Sequence, residues 1–168
     1  MRKSYKYRIY PTNAQIGKLE NSFSMCRHLY NWNLQERVVA YEKSGKSVSY
    51  QQQQNALPAL KREKPWFKSV YSQVLQDVLK RLDGAFKKFF REKIGFPRFK
   101  KRGHWNSITY PQFKKIPSNN KITLPKIGEI KIVYHRDIPE AAKVKTLNIT
   151  KEAGKWFACF SFEFEAQN

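Results

Sequence analysis

Cysteine is nearly absent from this chain. Cys26 and Cys159 are its only two thiols, far apart and in unlike surroundings, which excludes a disulfide framework and a paired-cysteine metal knuckle. His28, His104 and His135 are equally dispersed and lack the short ligand spacing of structural zinc. Carboxylates are scarce as well, thirteen against thirty-three Lys and Arg. A hydrolase or nuclease needs clustered carboxylates, a metal site or a nucleophile with its base. Here Asp77 and Asp83 lie six residues apart on one predicted helix and do not share a face. Asp137 sits ahead of a loop proline, and Glu163 and Glu165 alternate along the outer face of the last strand. Each reads as a solvated or ion-paired carboxylate. A glycine-rich phosphate loop and a Ser-His-Asp arrangement are also missing. By itself the chain reads as non-catalytic, without metal or cofactor. Long apolar runs are lacking too: nothing approaches the ~18 residues of a membrane helix, and Met1-Arg2-Lys3 leads into no apolar signal core. Membrane insertion is excluded, and reduced thiols in a cytoplasmic protein fit best.

What the chain has in excess is positive charge. The formal net charge is +20 and the isoelectric point about 10.1. Such an imbalance costs self-repulsion in a compact state, and a polyanion offsets it. Nucleic acid is the first candidate, because every neutralised phosphate releases counterions and adds affinity without sequence readout.

The order of patterns along the chain suggests an α+β fold. Residues 4–10 alternate Tyr5, Tyr7 and Ile9 with Lys6, Arg8 and Tyr10, a half-buried strand with a basic outer face. Pro11 ends it, and Thr12-Asn13-Ala14-Gln15 has the form of a capping box that opens a helix. Ile16, Leu19, Phe23, Cys26, Leu29, Tyr30, Asn33, Leu34, Val38 and Tyr41 follow at three- and four-residue steps, as one bent helix or two consecutive ones. Ser44-Gly45 stops the pattern. A shorter helix is expected over Tyr50–Glu63, broken or kinked at Pro58. In its glutamine run, Tyr50 and Gln54 stand one turn apart; the choices are a solvated face or groups aimed at base edges. Residues 69–93 give the clearest helix, with an apolar face from Val74 to Phe90 and basic flanks that include Lys80.

Beyond Gly95 the period changes from helix to strand. Residues 106–113, 121–124, 129–134, 145–150 and 156–165 read as five strands separated by Asn, Gly and Pro turns. The amino-terminal strand has no other sheet to join, so it is expected to close a small barrel with the helices inserted after it. The expected domains are 1–11 with 95–168 for the barrel and 12–94 for the helices. Gly95 to Trp105 is then the crossing between them, with Phe96 and Phe99 as anchors and Arg98, Lys100, Lys101 and Arg102 as phosphate contacts. His104, Trp105, Tyr110 and Phe113 are candidates to stack on bases, and Lys114 and Lys115 prolong the basic strip.

With this layout, the chain resembles the amino-terminal half of TnpB, the OrfB-type insertion-sequence family related to type V CRISPR effectors. The resemblance rests on Tyr7-Arg8-Ile9-Tyr10-Pro11-Thr12, on Cys26-Arg27 with Tyr30-Asn31-Trp32, and on Leu82, Ala85-Phe86 and Phe89-Phe90-Arg91. It continues through Gly95-Phe96-Pro97-Arg98-Phe99-Lys100 and Leu124-Pro125-Lys126-Ile127-Gly128, spanning roughly residues 5–165. It implies a wedge-type, oligonucleotide-binding-like β-barrel with a helical recognition bundle inserted after the first strand. It also implies a role in RNA-guided DNA targeting, in which this half holds guide RNA and reads a short transposon-adjacent motif in duplex DNA. By position, Tyr50, Gln54, Ser72 and Gln76 match the family's motif-reading residues, Tyr50 and Gln76 most closely. The chain ends at Asn168, about where the family's RuvC segment would begin, so the resemblance assigns it no cleavage. A fragment, a natural truncation and one part of a split protein with a RuvC-bearing partner chain all stay open. So does a stand-alone DNA-binding regulator. The expected location is the prokaryotic cytoplasm, at the nucleoid.

Overall fold

The computed structural model describes residues 1–164. Glu165, expected at the end of the last strand, lies outside the described residues. In chain order the elements are β1 (Arg2–Tyr10), α1 (Asn13–Ser44), α2 (Tyr50–Glu63), a 3-10 helix (Pro65–Ser69), α3 (Ser72–Glu92), β2 (Ser107–Tyr110), β3 (Lys121–Leu124), β4 (Gly128–Ile132), β5 (Ala142–Glu152) and β6 (Lys155–Phe164). They form two compact units, divided between Phe23 and Ser24 and between Trp105 and Asn106.

The first unit is built on one curled antiparallel sheet of order β2-β5-β6-β1-β4-β3. β1, expected to join these strands and close a small barrel, lies inside the order, pairing with β6 from Arg2↔Glu163 to Ile9↔Trp156 and with β4 through Ile9↔Ile132. Its length is the reason: nine residues give it room to hold a long strand on one side and the end of a short one on the other. Period-two alternation then sends Tyr7, Ile9, Ile130, Ile132, Leu147, Ile149, Ala158, Phe160 and Phe162 into the core, all essentially inaccessible to solvent. Val144 and Leu147 are both buried although three residues apart, because a bulge between Val144 and Thr146 absorbs the extra residue.

Local chemistry sets the turns. Asn119 and Asn120 have φ of 53° and 54°, and Ala153 and Gly154 have 49° and 77°. Two consecutive left-handed residues match the right-handed twist of a two-residue hairpin. In the Leu124–Gly128 turn, Lys126 is left-handed at φ 69° and Ile127 donates to the Leu124 carbonyl at 3.1 Å. The sheet curls enough for its two edges to communicate: the Tyr110 hydroxyl on β2 donates to the Pro125 carbonyl, beyond β3, at 3.2 Å. Tyr7, fully buried, donates its hydroxyl to the Arg136 carbonyl at 2.5 Å.

The capping box at the start of α1 forms as its residues suggest. The Thr12 amide donates to Gln15 Oε1 at 2.9 Å, and the Gln15 amide donates to Thr12 Oγ1 at 3.2 Å. Gln15 Nε2 also donates to the Glu129 carbonyl at 2.6 Å, so one side chain both caps the helix and holds it to β4.

The second unit, residues 24–105, takes the rest of α1 with α2, the 3-10 helix, α3 and the segment that follows. α1 is one uninterrupted helix of 32 residues. Its apolar stripe is buried from Leu19 through Leu34, but Tyr41 is 68% exposed, so the pattern overstates the packed length. Pro58 does not break α2, which continues to Glu63. Pro58 lies on the exposed side, where the Gln54 carbonyl it leaves without a helical donor can be hydrated. On α3, Val74, Leu75, Val78, Leu79, Leu82 and Phe86 are buried as the period requires. Phe90 is 73% exposed, since the last turn runs past the packed span.

Candidate nucleic-acid interface

The four residues of Gln51–Gln54 have four different roles, set by the 100° step of the helix. Gln52 completes a capping box with Ser49: Gln52 N donates to Ser49 Oγ at 3.1 Å, and Ser49 N donates to Gln52 Oε1 at 2.8 Å. Gln51 donates to Asn55 Oδ1 at 3.1 Å. Gln53 is 2% exposed, donating to the Asn33 carbonyl at 2.9 Å and to Glu36 Oε1 at 3.2 Å while accepting from Arg37 Nε at 2.9 Å. A uniformly solvated glutamine face is therefore corrected, because one of the four is a core polar hub.

Gln54 faces α3. Its Nε2 donates to the Tyr50 hydroxyl at 2.9 Å and to the Gln76 carbonyl at 3.0 Å. Ser72 and Gln76, from the first turns of α3, share with Gln54 a groove of about 240 Å³ whose rim carries Lys61 and Lys68. Residues up to 26 positions apart in sequence thus meet on one surface, Tyr50 and Gln54 from α2 and Ser72 and Gln76 from α3. Lys80, one helical turn beyond Gln76, is exposed. With both Nε2 hydrogens donated, the Gln54 amide is fixed in orientation and keeps only its Oε1 for a further partner.

Behind this groove, Arg37 is held in place by charge and ring. Its Nη2 lies 3.6 Å from Asp83 Oδ1, and its guanidinium sits 4.7 Å from the Phe86 ring centre. Desolvation lowers the Arg37 pKa, while Asp83 opposes that shift. Asp77 pairs with Arg81 at 2.9 Å. Of the two alternatives, solvated or ion-paired, both carboxylates are ion-paired.

The basic segment after α3 starts with Lys93 in the left-handed region, φ 52°, which ends the helix. Asn31 of α1 clasps it: Lys100 N donates to Asn31 Oδ1 at 2.8 Å, and Asn31 Nδ2 donates to the Lys100 carbonyl at 2.9 Å. A turn follows, with His104 N donating to the Lys101 carbonyl at 3.0 Å and Gly103 at φ 80°. Arg98, Lys100, Lys101, Arg102 and His104 are all exposed along this stretch.

Trp105 differs. It is 8% exposed, its ring 5.4 Å from Tyr30 and 5.2 Å from the Arg81 guanidinium. Tyr110 and Phe113 are 2% and 6% exposed. The stacking role expected for these three is corrected: their rings are occupied in the cores of their units. Phe96 is anchored edge-on to Phe86 and Phe89, at 5.4 and 5.3 Å, but remains 46% exposed. Phe99 is 52% exposed and does not anchor the segment as expected.

In the sheet unit, Lys6 and Arg8 project from β1 beside Phe157. Lys6 pairs with Glu152 at 2.7 Å and lies 4.4 Å from the Phe157 ring. The Arg8 guanidinium is 4.7 Å from the Tyr10 ring. Lys114 is exposed after β2.

Sequence reasoning missed three contributors: Gln53 as the hub, Asn31 as the clasp, and Trp32 with Trp66 as exposed rings. The first two had a signal, a polar residue on or beside an otherwise apolar helical stripe.

A curled six-stranded antiparallel sheet, three helices between its first two strands and a charge of +20 define a class of basic α+β protein suited to polyanions. A family model described as a helix-turn-helix domain (HTH_OrfB_IS605) matches residues 1–46. In this structure that span holds β1 and the single helix α1, with no second helix. A Streptomyces pristinaespiralis protein, provisionally named an RNA-guided DNA endonuclease, is 33% identical over 162 residues, covering 94% of this chain and 40% of its own length. InsQ of Escherichia coli K12, provisionally named in the same way, is 32% identical over 166 residues, 97% of this chain and 41% of its own. Virulence protein VsdF of Salmonella dublin is 30% identical over 113 residues, 61% of this chain and 95% of its own. The chain belongs to the TnpB family of OrfB-type proteins. It spans about two-fifths of the length of the first two relatives.

Proposed function

We propose that this chain is the nucleic-acid-binding part of an RNA-guided, TnpB-type DNA-targeting protein. In this reading it holds a guide RNA scaffold and reads a short transposon-adjacent motif in duplex DNA, while cleavage belongs to a RuvC portion of the system. The fold that goes with it is an oligonucleotide-binding-like barrel bearing an inserted helical bundle. The observation that carries the reading is the convergence of Gln54, Ser72 and Gln76 on one groove between α2 and α3, with the Tyr50 hydroxyl bonded to Gln54 and lysines at the rim. The names of the two larger relatives support it. Gln76 supplies an amide that can pair with an adenine edge, Gln54 keeps its Oε1 as an acceptor for a base amino group, and Arg98, Lys101 and Arg102 supply phosphate contacts.

The test is binding of duplex libraries and of structured RNA from the flanking element, across a salt series. Selection of a defined duplex motif, lost on Gln76→Ala, and preference for the cognate RNA over scrambled RNA are expected. The affinity should fall with log salt at a slope of about −0.9 per phosphate contacted on duplex and about −0.7 on single strands. Equal affinity for cognate and scrambled RNA would remove the guide-binding part.

A second reading is a stand-alone DNA-binding regulator that occupies its motif without RNA. Its support is limited to length: this chain matches 95% of the short relative VsdF, so part of this chain has a counterpart that is a short protein. Motif-specific duplex binding by RNA-free protein, unchanged when RNA is added, would select it. Sequencing of whatever nucleic acid copurifies separates the two at the outset.

A further inference from the structure

On another face of the helical unit, a cleft of about 410 Å³ opens between α1, the 3-10 helix and the segment after α3. Ligand pockets commonly fall in the range of about 300–1,000 Å³. Trp32, Trp66 and Phe99 bound it, and they are 46%, 54% and 52% exposed. Exposing three large rings around one hollow is costly, and a concentrated patch of this kind marks a binding surface. Trp32 is held by its place on α1, next to the Asn31 clasp. Trp66 follows Pro65 at the start of the 3-10 helix and leans on the buried Phe67, 6.3 Å between ring centres. Lys64 lies between the two indoles, its Nζ 4.6 Å from the Trp32 ring and 5.4 Å from that of Trp66. Cation–π contacts of this kind keep the rings apart with a group that can swing away.

The polar chemistry of the cleft has one sign. Its lining carries Lys64 and contains no Asp or Glu, and Arg98 and Lys100 flank Phe99 in sequence with exposed side chains. His28 adds an imidazole at the rim, kept below its usual pKa range by desolvation and by the adjacent Arg27. A neutral imidazole and the Gln35 amide offer hydrogen-bonding edges without charge.

We propose that the cleft bounded by Trp32, Trp66 and Phe99 stacks unpaired nucleobases of a single strand, with Lys64, Arg98 and Lys100 on the strand's phosphates. The proposal rests on the nucleic-acid reading above and adds to it a site for single-stranded bases, separate from the amide groove. Half-exposed rings beside cations are the arrangement by which proteins hold single strands without reading sequence. A paired duplex keeps its bases stacked inside and cannot fill such a cleft.

The test uses the whole chain with two probes of equal length, a thymine homopolymer and an abasic strand with the same phosphates. Trp105 and Trp156 are 8% and 5% exposed, so Trp32 and Trp66 dominate quenching of the intrinsic fluorescence. The thymine strand should quench the emission and bind about tenfold or more tighter than the abasic strand. The W32A/W66A double variant should lose that preference and retain abasic binding. Phe99→Ala, at a half-exposed ring, gives a second reading should the double variant unfold. Equal affinity for both strands, or a preference that survives in the variants, would overturn the cleft and leave only charge-driven binding. A proline-rich peptide that saturated the quench where the thymine strand did not would overturn it in favour of a protein partner. If neither strand bound at all, the nucleic-acid reading would fail, and the cleft with it.

Discussion

Asn31 grips the backbone of Lys100 at both ends of one residue, accepting from its amide at 2.8 Å and donating to its carbonyl at 2.9 Å. The contact joins two stretches by which the chain resembles its family, Tyr30-Asn31-Trp32 and Gly95 to Lys100. It also fixes the backbone from which the basic side chains project. Asn31→Ala should lower stability by about 1 kcal/mol, since both bonds are partly solvated. It should weaken nucleic-acid binding more than that figure suggests, through loss of pre-organisation. Hydrogen exchange at the Lys100 amide is the direct check, and protection unchanged from wild type would show that the segment is held by other contacts.

Neighbouring glutamines should give opposite phenotypes. Gln53→Ala removes the acceptor of Arg37 Nε in a buried setting and should cost about 2 kcal/mol in a denaturant melt. Gln54→Ala, at the groove, should change stability by under about 1 kcal/mol while relaxing duplex motif preference. Melts and competition binding on the same two proteins test both halves.

Burial decides which ion pair matters, and distance does not. Lys6 and Glu152 meet at 2.7 Å, but both side chains are about half exposed, and Glu152→Ala should cost under about 1 kcal/mol. Arg37 and Asp83 are 3.6 Å apart, with side chains 9% and 20% exposed. Asp83→Ala strands a buried guanidinium and should cost about 3 kcal/mol. Equal shifts in the unfolding midpoint would contradict this ranking.

The two thiols should be distinguishable by reagent. Burial pushes the Cys26 thiol up to about 12, from an ordinary 9.0. Cys159, half-buried on β6, is also raised by burial. At pH 8 a thiol reagent should label Cys159 slowly and reach Cys26 only on unfolding. Because the folded pKa of Cys26 lies above its unfolded value, its stabilising contribution is complete below pH 9 and is lost as pH rises toward 12. Rapid labelling of two thiols in the native protein would show that Cys26 is accessible.

Much of the architecture was legible because it is written in local periods. The Thr12–Gln15 box, the boundaries of α2, the buried face of α3 as far as Phe86 and the alternation of β6 follow from spacing and capping chemistry. Pairing was less so. The alternation of β1 shows which residues face inward but not whether its partners are β4 and β6, and that choice placed it inside the sheet.

The amino-acid sequence by itself determined the elements, the excess of positive charge and the family, because each depends on residue type and near-neighbour spacing. Tertiary structure alone decided what surface those residues make. It buried Trp105, Tyr110 and Gln53 and left Trp32, Trp66 and Phe99 open. It also brought Gln54 to Gln76 and Asn31 to Lys100. Exposure and long-range hydrogen bonds depend on which helix or strand covers a face, and spacing along one element carries no record of that.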